Sequence, residues 1–468
     1  MSLYRNLIKS LPFASGIIRK YKVYKKQNVR KQMMEKREQQ VAEELKRAAL
    51  WIERHKEKSQ ILYTSKPLVS MIVLNRNGTE HLNILLKSLL EKTFYDNYEL
   101  IVVDNASTDG SIEFLESFVG KINLHIIRNN ENMSFSKANN LAVREASGEY
   151  LLFLNNDTEV TDGWLDELLF IAMEKEKAGA IGARLLYPEI PVGSTNQKKS
   201  YCIQHYGIGF RKVKRNGVDF VQPYNMENGS DKLCKDFEAV REMAVTAAVL
   251  LVSRQIFEEV GGYDEGYNYG YEDVDLCLKI HYAGYQNYLA PAVVVFHYEF
   301  GTQNKDDQKE VEERRLHNMY VYQGKWQNYL QRKILREGKE APLDKQKLDI
   351  CIAELRDLEM DTDNADTGGL KDYKYALHLK DLLEEEGYSV EIRPYAKWSN
   401  DTTSLSVLVI RGDRPYYPKV DPQQKNILIL RSDKEESLLT DEAKRFDKVF
   451  VESNYNIADL LETIKESD

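Results

Sequence analysis

Two kinds of pattern alternate along the chain from Pro67 to Val160. The segments "LVSMIVLN", "YELIVVDN", "INLHIIRN" and "YLLFLNND" are short aliphatic or β-branched runs, each closing on polar residues. Among them lie "HLNILLKSLLEK", "SIEFLESFV" and "FSKANNLAVREA", whose apolar positions recur at helical spacing. Strand and helix changing places in this way predict right-handed βαβ units and a mostly parallel sheet. Strands that stay apolar at successive positions predict cover on both faces of that sheet.

The pattern weakens on either side. Residues 35–60 are dense in Glu, Lys, Arg and Gln, with Val41, Leu45, Ala48 and Ile52 at helical spacing, which predicts one helix docked by a thin apolar stripe. Residues 160–335 alternate less regularly. The Gly-, Asn- and Lys-rich stretch 190–235 reads as a loop or hairpin region, and 305–340 as a closing helix and linker. From Lys347 a second βα pattern begins, predicting a small three-layer α/β unit. The expected division is a basic arm and helix over 1–64, a main α/β domain over 65–304, a helical linker over 305–346, and a Rossmann-like domain over 347–468.

Charge adds one asymmetry. The formal net charge is −9, yet residues 1–34 hold nine Lys or Arg and no Asp or Glu, so the rest of the chain carries twice the overall negative charge. An acidic body argues against nucleic acid as a partner. The basic segment has interleaved apolar residues (Leu3, Leu7, Ile8, Leu11, then Ile17, Ile18, Tyr21 and Tyr24 after a break at Pro12), a spacing that suggests an interfacial helix attracted to anionic lipids, with a solvated tail as the alternative. No run of 18 or more apolar residues and no secretory signal is evident, and four scattered cysteines show no metal-binding spacing. These features predict a reduced, cytoplasmic protein, peripheral at most on the inner face of the membrane.

The polar residues that close the strands are the candidate chemistry. In an open parallel sheet, ligands sit beyond the carboxyl ends of the strands. There this chain would gather Leu74, Asn75 and Arg76 from the first strand, Asp104 and Asn105 from the second, and Asn155, Asn156 and Asp157 from the fourth. Neither G-x-G-x-x-G nor a Walker-type Gly-Lys-Ser/Thr is present, so a Gly-rich phosphate cradle is not expected. Acceptors dominate instead. Asp104 suits a base N–H, although Asx and Ser/Thr clusters also cap turns. Asp157 suits a hard divalent cation, Mg²⁺ or Mn²⁺, carrying a diphosphate. Downstream, "YEDVDLCLKI" puts Glu272, Asp273 and Asp275 at a helix start, where a carboxylate facing a cleft can take a proton from an alcohol. His297 closes the apolar run "VVVFH" and is a candidate metal ligand.

Four stretches in this order resemble glycosyltransferase family 2, inverting enzymes of the GT-A fold, on its rhamnosyltransferase-like branch: "VSMIVLNRNG", "IVVDNASTDGS", "NMSFSKANNLAVREASGEYLLFLNNDT" and "GGYDEGYNYGYEDVDLCLK". The resemblance covers about residues 68–300. It implies that Leu74, Asn75, Arg76, Asp104, Asn140, Asn155 and Asn156 contact the nucleotide, and that Asp157 and His297 hold Mg²⁺ or Mn²⁺. It further implies that Asp273 is the catalytic base and that Glu272 helps bind the acceptor. Asn155 stands where the family's metal motif has its first Asp. Thr246-Ala247-Ala248 replaces a usual Gly near the expected donor sugar. The C-terminal unit resembles the first half of a GT-B-type glycosyltransferase, which implies either a piece of a larger bifunctional enzyme or a non-catalytic addition.

The expected function is transfer of a sugar from a UDP- or dTDP-sugar to a saccharide or polyprenol-linked acceptor during bacterial cell-surface polysaccharide synthesis. A non-catalytic nucleotide-sugar-binding scaffold and a nucleotidyltransferase are the alternatives, and a homo-oligomer is left open.

Overall fold

In the computed structural model, the described residues are 12–58, 66–190, 199–215, 218–268, 270–298, 308–331, 343–352, 368–394, 404–411, 424–431, 443, 446–453 and 455–465. The first element is helix α1 (Pro12–Lys58). A main domain follows: β1 (Val69–Asn75), α2 (Thr79–Lys92), β2 (Tyr98–Asn105), α3 (Ser111–Glu116), β3 (Leu124–Asn129), α4 (Phe135–Glu145), β4 (Tyr150–Asn155), β5 (Thr158–Val160), α5 (Trp164–Glu174) and β6 (Ala178–Leu186). It continues through β7 (Ile203–His205), β8 (Ile208–Arg215), β9 (Val218–Asn225), β10 (Val240–Glu242), β11 (Val249–Ser253), α6 (Arg254–Glu259), α7 (Glu272–Tyr282), β12 (Gln286–His297) and α8 (Gln308–Leu330).

The main sheet runs β10-β12-β6-β11-β4-β1-β2-β3. Strands β1 to β4 pair in parallel, β12 runs parallel to β6, and β11 is antiparallel to both β4 and β6. Alternation along β1 explains why its sequence is apolar throughout. Met71 and Val73 pack with α2 and α5 on one face, while Ile72 packs with α4, α6, α7 and α8 on the other. Register brings the polar ends level, with Asn75 beside Asp104 and Leu74 beside Asn155.

Helix α1 departs from expectation. The spacing predicts a docked helix over 35–60 and a separate interfacial helix in the basic segment, but one continuous helix begins at Pro12 and takes in most of that segment. Proline suits the first helical position, where its missing N–H has no intrahelical partner to lose. At about 1.5 Å per residue, such a helix is about 70 Å long. The predicted stripe does dock. Val41 packs with Leu186, Ile203 and Val294, and Ala48 and Ile52 with Cys234, Phe237 and Ala292. Glu44 and Arg184 form an ion pair buried beneath it. Gly163 has a left-handed φ of +72°, and a Cβ there would lie 2.9 Å from Ile52, so the helix approaches as closely as it does only over glycine. Residues 1–11 of the expected basic arm lie outside the described residues.

The predicted hairpin is β8–β9, paired from Ile208↔Asn225 to Arg215↔Val218. The C-terminal unit comprises β13 (Asp344–Ile352), α9 (Gly368–Glu385), β14 (Ser389–Pro394), β15 (Ser404–Arg411), β16 (Lys425–Leu430), β17 (Lys448–Val451) and α10 (Ile457–Lys465). Its five parallel strands take the doubly wound order β14-β13-β15-β16-β17. Three full layers are not seen among the described residues. Helices α9 and α10 share one face, and the opposite face meets Ala443 and Phe446. The rest of the expected second helical layer lies outside the described residues.

Candidate active site

The polar strand ends meet as one connected series. Asn75, fully buried at the end of β1, donates from Nδ2 to Asp104 Oδ2 (3.0 Å) and accepts at Oδ1 from Asn156 Nδ2 (2.8 Å). Asp104, only 2% exposed, also accepts the Ser107 backbone N–H at 2.9 Å, so it both caps its turn and belongs to the network. Gly78 makes this crowding feasible. A Cβ there would fall 2.4 Å from Asn156 Nδ2 and 2.6 Å from Asn75 Oδ1. Antiparallel pairing of β5 with β12 sets Thr158 opposite His297, which brings residues remote in sequence together. His297 Nε2 lies 3.1 Å from Asp157 Oδ1 and 3.2 Å from Asn155 Nδ2.

From there the contacts reach the acidic helix start. The Asn155 backbone N–H donates to Ala248 O at 3.1 Å, and the Ala247 N–H donates to Asp273 Oδ2 at 3.2 Å. Asp273 Oδ1 accepts from Val274 N at 2.8 Å. The structure thus brings Asn75, Asp104, Asn155, Asn156, Asp157, His297 and Asp273 along one sheet edge. Glu272 opens the same helical turn, 7% exposed, and its Oε2 has no hydrogen-bond partner among the described residues. Leu74 is half-buried against the core, and Arg76 is exposed.

Asn140 does not join the series. Its amide accepts from Tyr263 N (3.0 Å) and donates to Tyr263 O (2.8 Å) and Glu265 Oε1 (3.0 Å). It pins the loop ahead of α7, because its place on α4 faces that loop rather than a strand end. Asp275 also turns away and lies fully buried in the core.

Electrostatics divide the two ends. Burial alone would raise Asp157, but the charge and hydrogen bond of His297 outweigh it and hold the carboxyl below its ordinary range. At the other end, burial raises Asp273, and burial with the neighbouring Asp273 charge raises Glu272 to about 8. Glu272 therefore keeps its proton at neutral pH.

The donor set at Asp157 suits a divalent cation. Gln204, which sequence patterning did not single out, accepts at Oε1 from His297 Nδ1 (2.7 Å). Charged His297 donates from Nε2 to Asp157 (3.1 Å), and a cation that displaced that proton would meet two electron-pair donors, Nε2 and the carboxylate, converging on one point. Among the described residues no group of three or more His, Cys, Asp or Glu side chains could hold a metal. Two protein ligands are enough for Mg²⁺ or Mn²⁺ when phosphates and water complete the shell. The signal for Gln204 was faint in sequence, a single Gln two residues after Cys202 in a loop-like stretch.

Residues 69–233 match the family model described as glycosyl transferase family 2. An uncharacterized protein, y4gI of Sinorhizobium fredii, is 32% identical over 272 residues, 56% of this chain and 28% of that protein. The O-antigen biosynthesis protein RfbC of Myxococcus xanthus is 31% identical over 246 residues, 51% of this chain and 18% of that protein. The chain therefore spans less than a third of the length of either relative. A crystal structure of GalNAc-T7 with UDP, GalNAc and Mn²⁺ aligns at TM-score 0.41 and 17% identity, over 67% of this chain and 57% of that one.

Proposed function

Because residues 69–233 form a family 2 glycosyltransferase domain, we propose that this chain transfers a sugar from a nucleotide-diphosphate donor to a hydroxyl of a saccharide acceptor, with inversion at the anomeric carbon. The observation that carries the proposal is the placement along one sheet edge of two hydrogen-bonded sets, Asp104–Asn75–Asn156 and Asp157–His297–Asn155, adjacent in the chain at 155–157, with Asp273 bonded to Ala247 beside the backbone that pairs with Asn155. Asp104, Asn75, Asn155 and Asn156 form the nucleotide end. Asp157 and His297 are the residues that would hold a divalent cation on the diphosphate. Such an ion, when bound, neutralises charge on the departing diphosphate as a Lewis acid.

Asp273 takes the proton of the acceptor hydroxyl. That oxygen bonds to the anomeric carbon as the bond to the diphosphate oxygen breaks, and the electron pair leaves with the diphosphate. Protonated Glu272 donates a hydrogen bond to an acceptor oxygen. General-base help of this kind contributes about 10²- to 10⁴-fold in rate.

The acceptor in this proposal is a polyprenol-linked saccharide or growing polymer at the inner face of a bacterial membrane. Support comes from the nine basic residues of 1–34 and the absence of acidic ones there. Among the described residues no helix is long and apolar enough to cross a membrane. Deleting residues 1–34 lowers binding to vesicles containing anionic lipid while leaving Mn²⁺ binding intact; unchanged vesicle binding refutes the membrane contact.

A panel of UDP-, dTDP- and GDP-sugars with Mn²⁺, read by thermal stabilisation, tests the donor class. A bound ligand raises Tm by mass action. At least one member is expected to stabilise the chain only with the metal present, and no response from the whole panel contradicts the proposal.

A further inference from the structure

Helix α8 follows the last strand of the main sheet, and we propose that it is a strut that positions the acceptor-side carboxylates, acting through Asn318 and Trp326. The proposal rests on Asp273 being the base. Its starting point is Tyr271, whose φ of +70° lies in the left-handed region that a bulky residue disfavours. That turn brings the chain into α7 with Glu272 and Asp273 in the first helical turn. Such a conformation persists where its surroundings over-determine it.

Contacts from α8 do so on both sides of the turn. Asn318, fully buried, accepts from the Asn268 backbone N–H at 2.9 Å and donates to Gly270 O at 2.8 Å. One side-chain amide thus fixes the backbone on either side of residue 269. Tyr322 stacks on Tyr271, with 4.9 Å between ring centroids. Beyond the turn, buried Asp275 accepts from Trp326 Nε1 at 2.7 Å and pairs with Lys325 at 2.8 Å. Asn318, Tyr322 and Trp326 lie four residues apart and so share one face of α8.

A buried carboxylate needs partners to offset its desolvation. Asp275 has them on α8, in the loop (Tyr267 OH, 3.3 Å) and one turn on in α7 (Lys279 Nζ, 3.8 Å). It therefore sets the register of α7 against α8. The donor end, at β1, β2 and β4, has no part in these contacts. Loosening the strut should accordingly impair turnover and spare donor binding, since a displacement of about 1 Å can lower a rate 10²-fold.

The test uses the full chain and the nucleotide sugar that the panel selects. Asn318→Leu removes both amide bonds. Trp326→Phe removes only the N–H donated to Asp275 and keeps a ring in the core. The expected result is a kcat at least tenfold lower in Asn318→Leu, with donor KM within twofold of the native value and faster hydrogen exchange at the Asn268 amide. Native kcat in the folded variants, despite faster exchange, overturns the strut. If Asn318→Leu does not fold, Trp326→Phe decides by the same readouts. Asp273→Asn separates the two claims. Full activity in that variant removes the base reading, whereas an inactive Asp273→Asn beside fully active α8 variants removes the strut alone.

Discussion

Asp157 and the Glu272–Asp273 pair stand apart along one sheet edge, and burial acts on both in the same direction. Their ionisation nevertheless diverges. Asp157 faces His297 and is held low, whereas burial pushes up Asp273, and burial with the Asp273 charge pushes up Glu272. Burial prevails at Glu272 and Asp273, and only the cationic partner at Asp157 reverses it. The difference matters because a metal ligand must stay ionised, while a base for an alcohol gains from a raised pKa. One sheet edge thus provides both environments, and each is set by what the opposing loop contributes.

Substitutions at each end test this division. Asp273→Asn removes the base and leaves the nucleotide end untouched, so kcat should fall about 10²- to 10⁴-fold while donor KM changes little. Steady-state kinetics with varied donor checks this, and an equal rise in KM would merge the two ends. Gln204→Leu frees the His297 ring and should weaken Mn²⁺ affinity about 10- to 100-fold, a loss typical of outer-shell partners. Isothermal titration with Mn²⁺ and the selected nucleotide measures it; undiminished affinity would mean that the Nδ1 contact does not orient the ring.

The smallest effect concerns pH. Glu272 titrates at about 8 in the folded chain against an ordinary 4.5, so the folded state holds the proton more tightly than the unfolded state does. Its contribution to stability is greatest below 4.5 and is lost as pH rises through 8. Glu272→Gln lacks this loss. Melting curves of the two proteins should therefore converge near pH 4.5, separate progressively as pH rises toward 8 with the variant the more stable, and keep a constant gap above that. A constant gap across pH would show that Glu272 is not held protonated by burial.

Much of this arrangement was legible in the sequence, for reasons that differ by residue. Strands β1, β2 and β4 are buried on both faces, so each reads as an apolar run with an abrupt polar end, and the end marks the site. The placement of Asp157 and Asp273 at the same sheet edge was legible through long motifs. Gln204 was not, because its role depends on β7 pairing with β6 and on β12 delivering His297 beside it. Asn140 lay within a motif that signalled nucleotide contact, yet its amide is spent on the loop at Tyr263. Helix α1 was under-read at its start. Basic residues from Arg19 to Lys31 carry no apolar periodicity strong enough to extend the docked stripe, although the backbone continues to Pro12. Asp275 shares the acidic helix start with Glu272 and Asp273 but is a core anchor, since a residue two positions from Asp273 on a helix points away from it.

The most direct measurement of the two-ended site is thermal stabilisation by UDP, dTDP or GDP with Mn²⁺ in three proteins: the native chain, Asp157→Asn and Asp273→Asn. The nucleotide that stabilises the native chain should stabilise Asp273→Asn equally and fail to stabilise Asp157→Asn. Equal stabilisation of all three, or its loss from both variants alike, would contradict the separation of a metal-and-diphosphate end from a proton-accepting one.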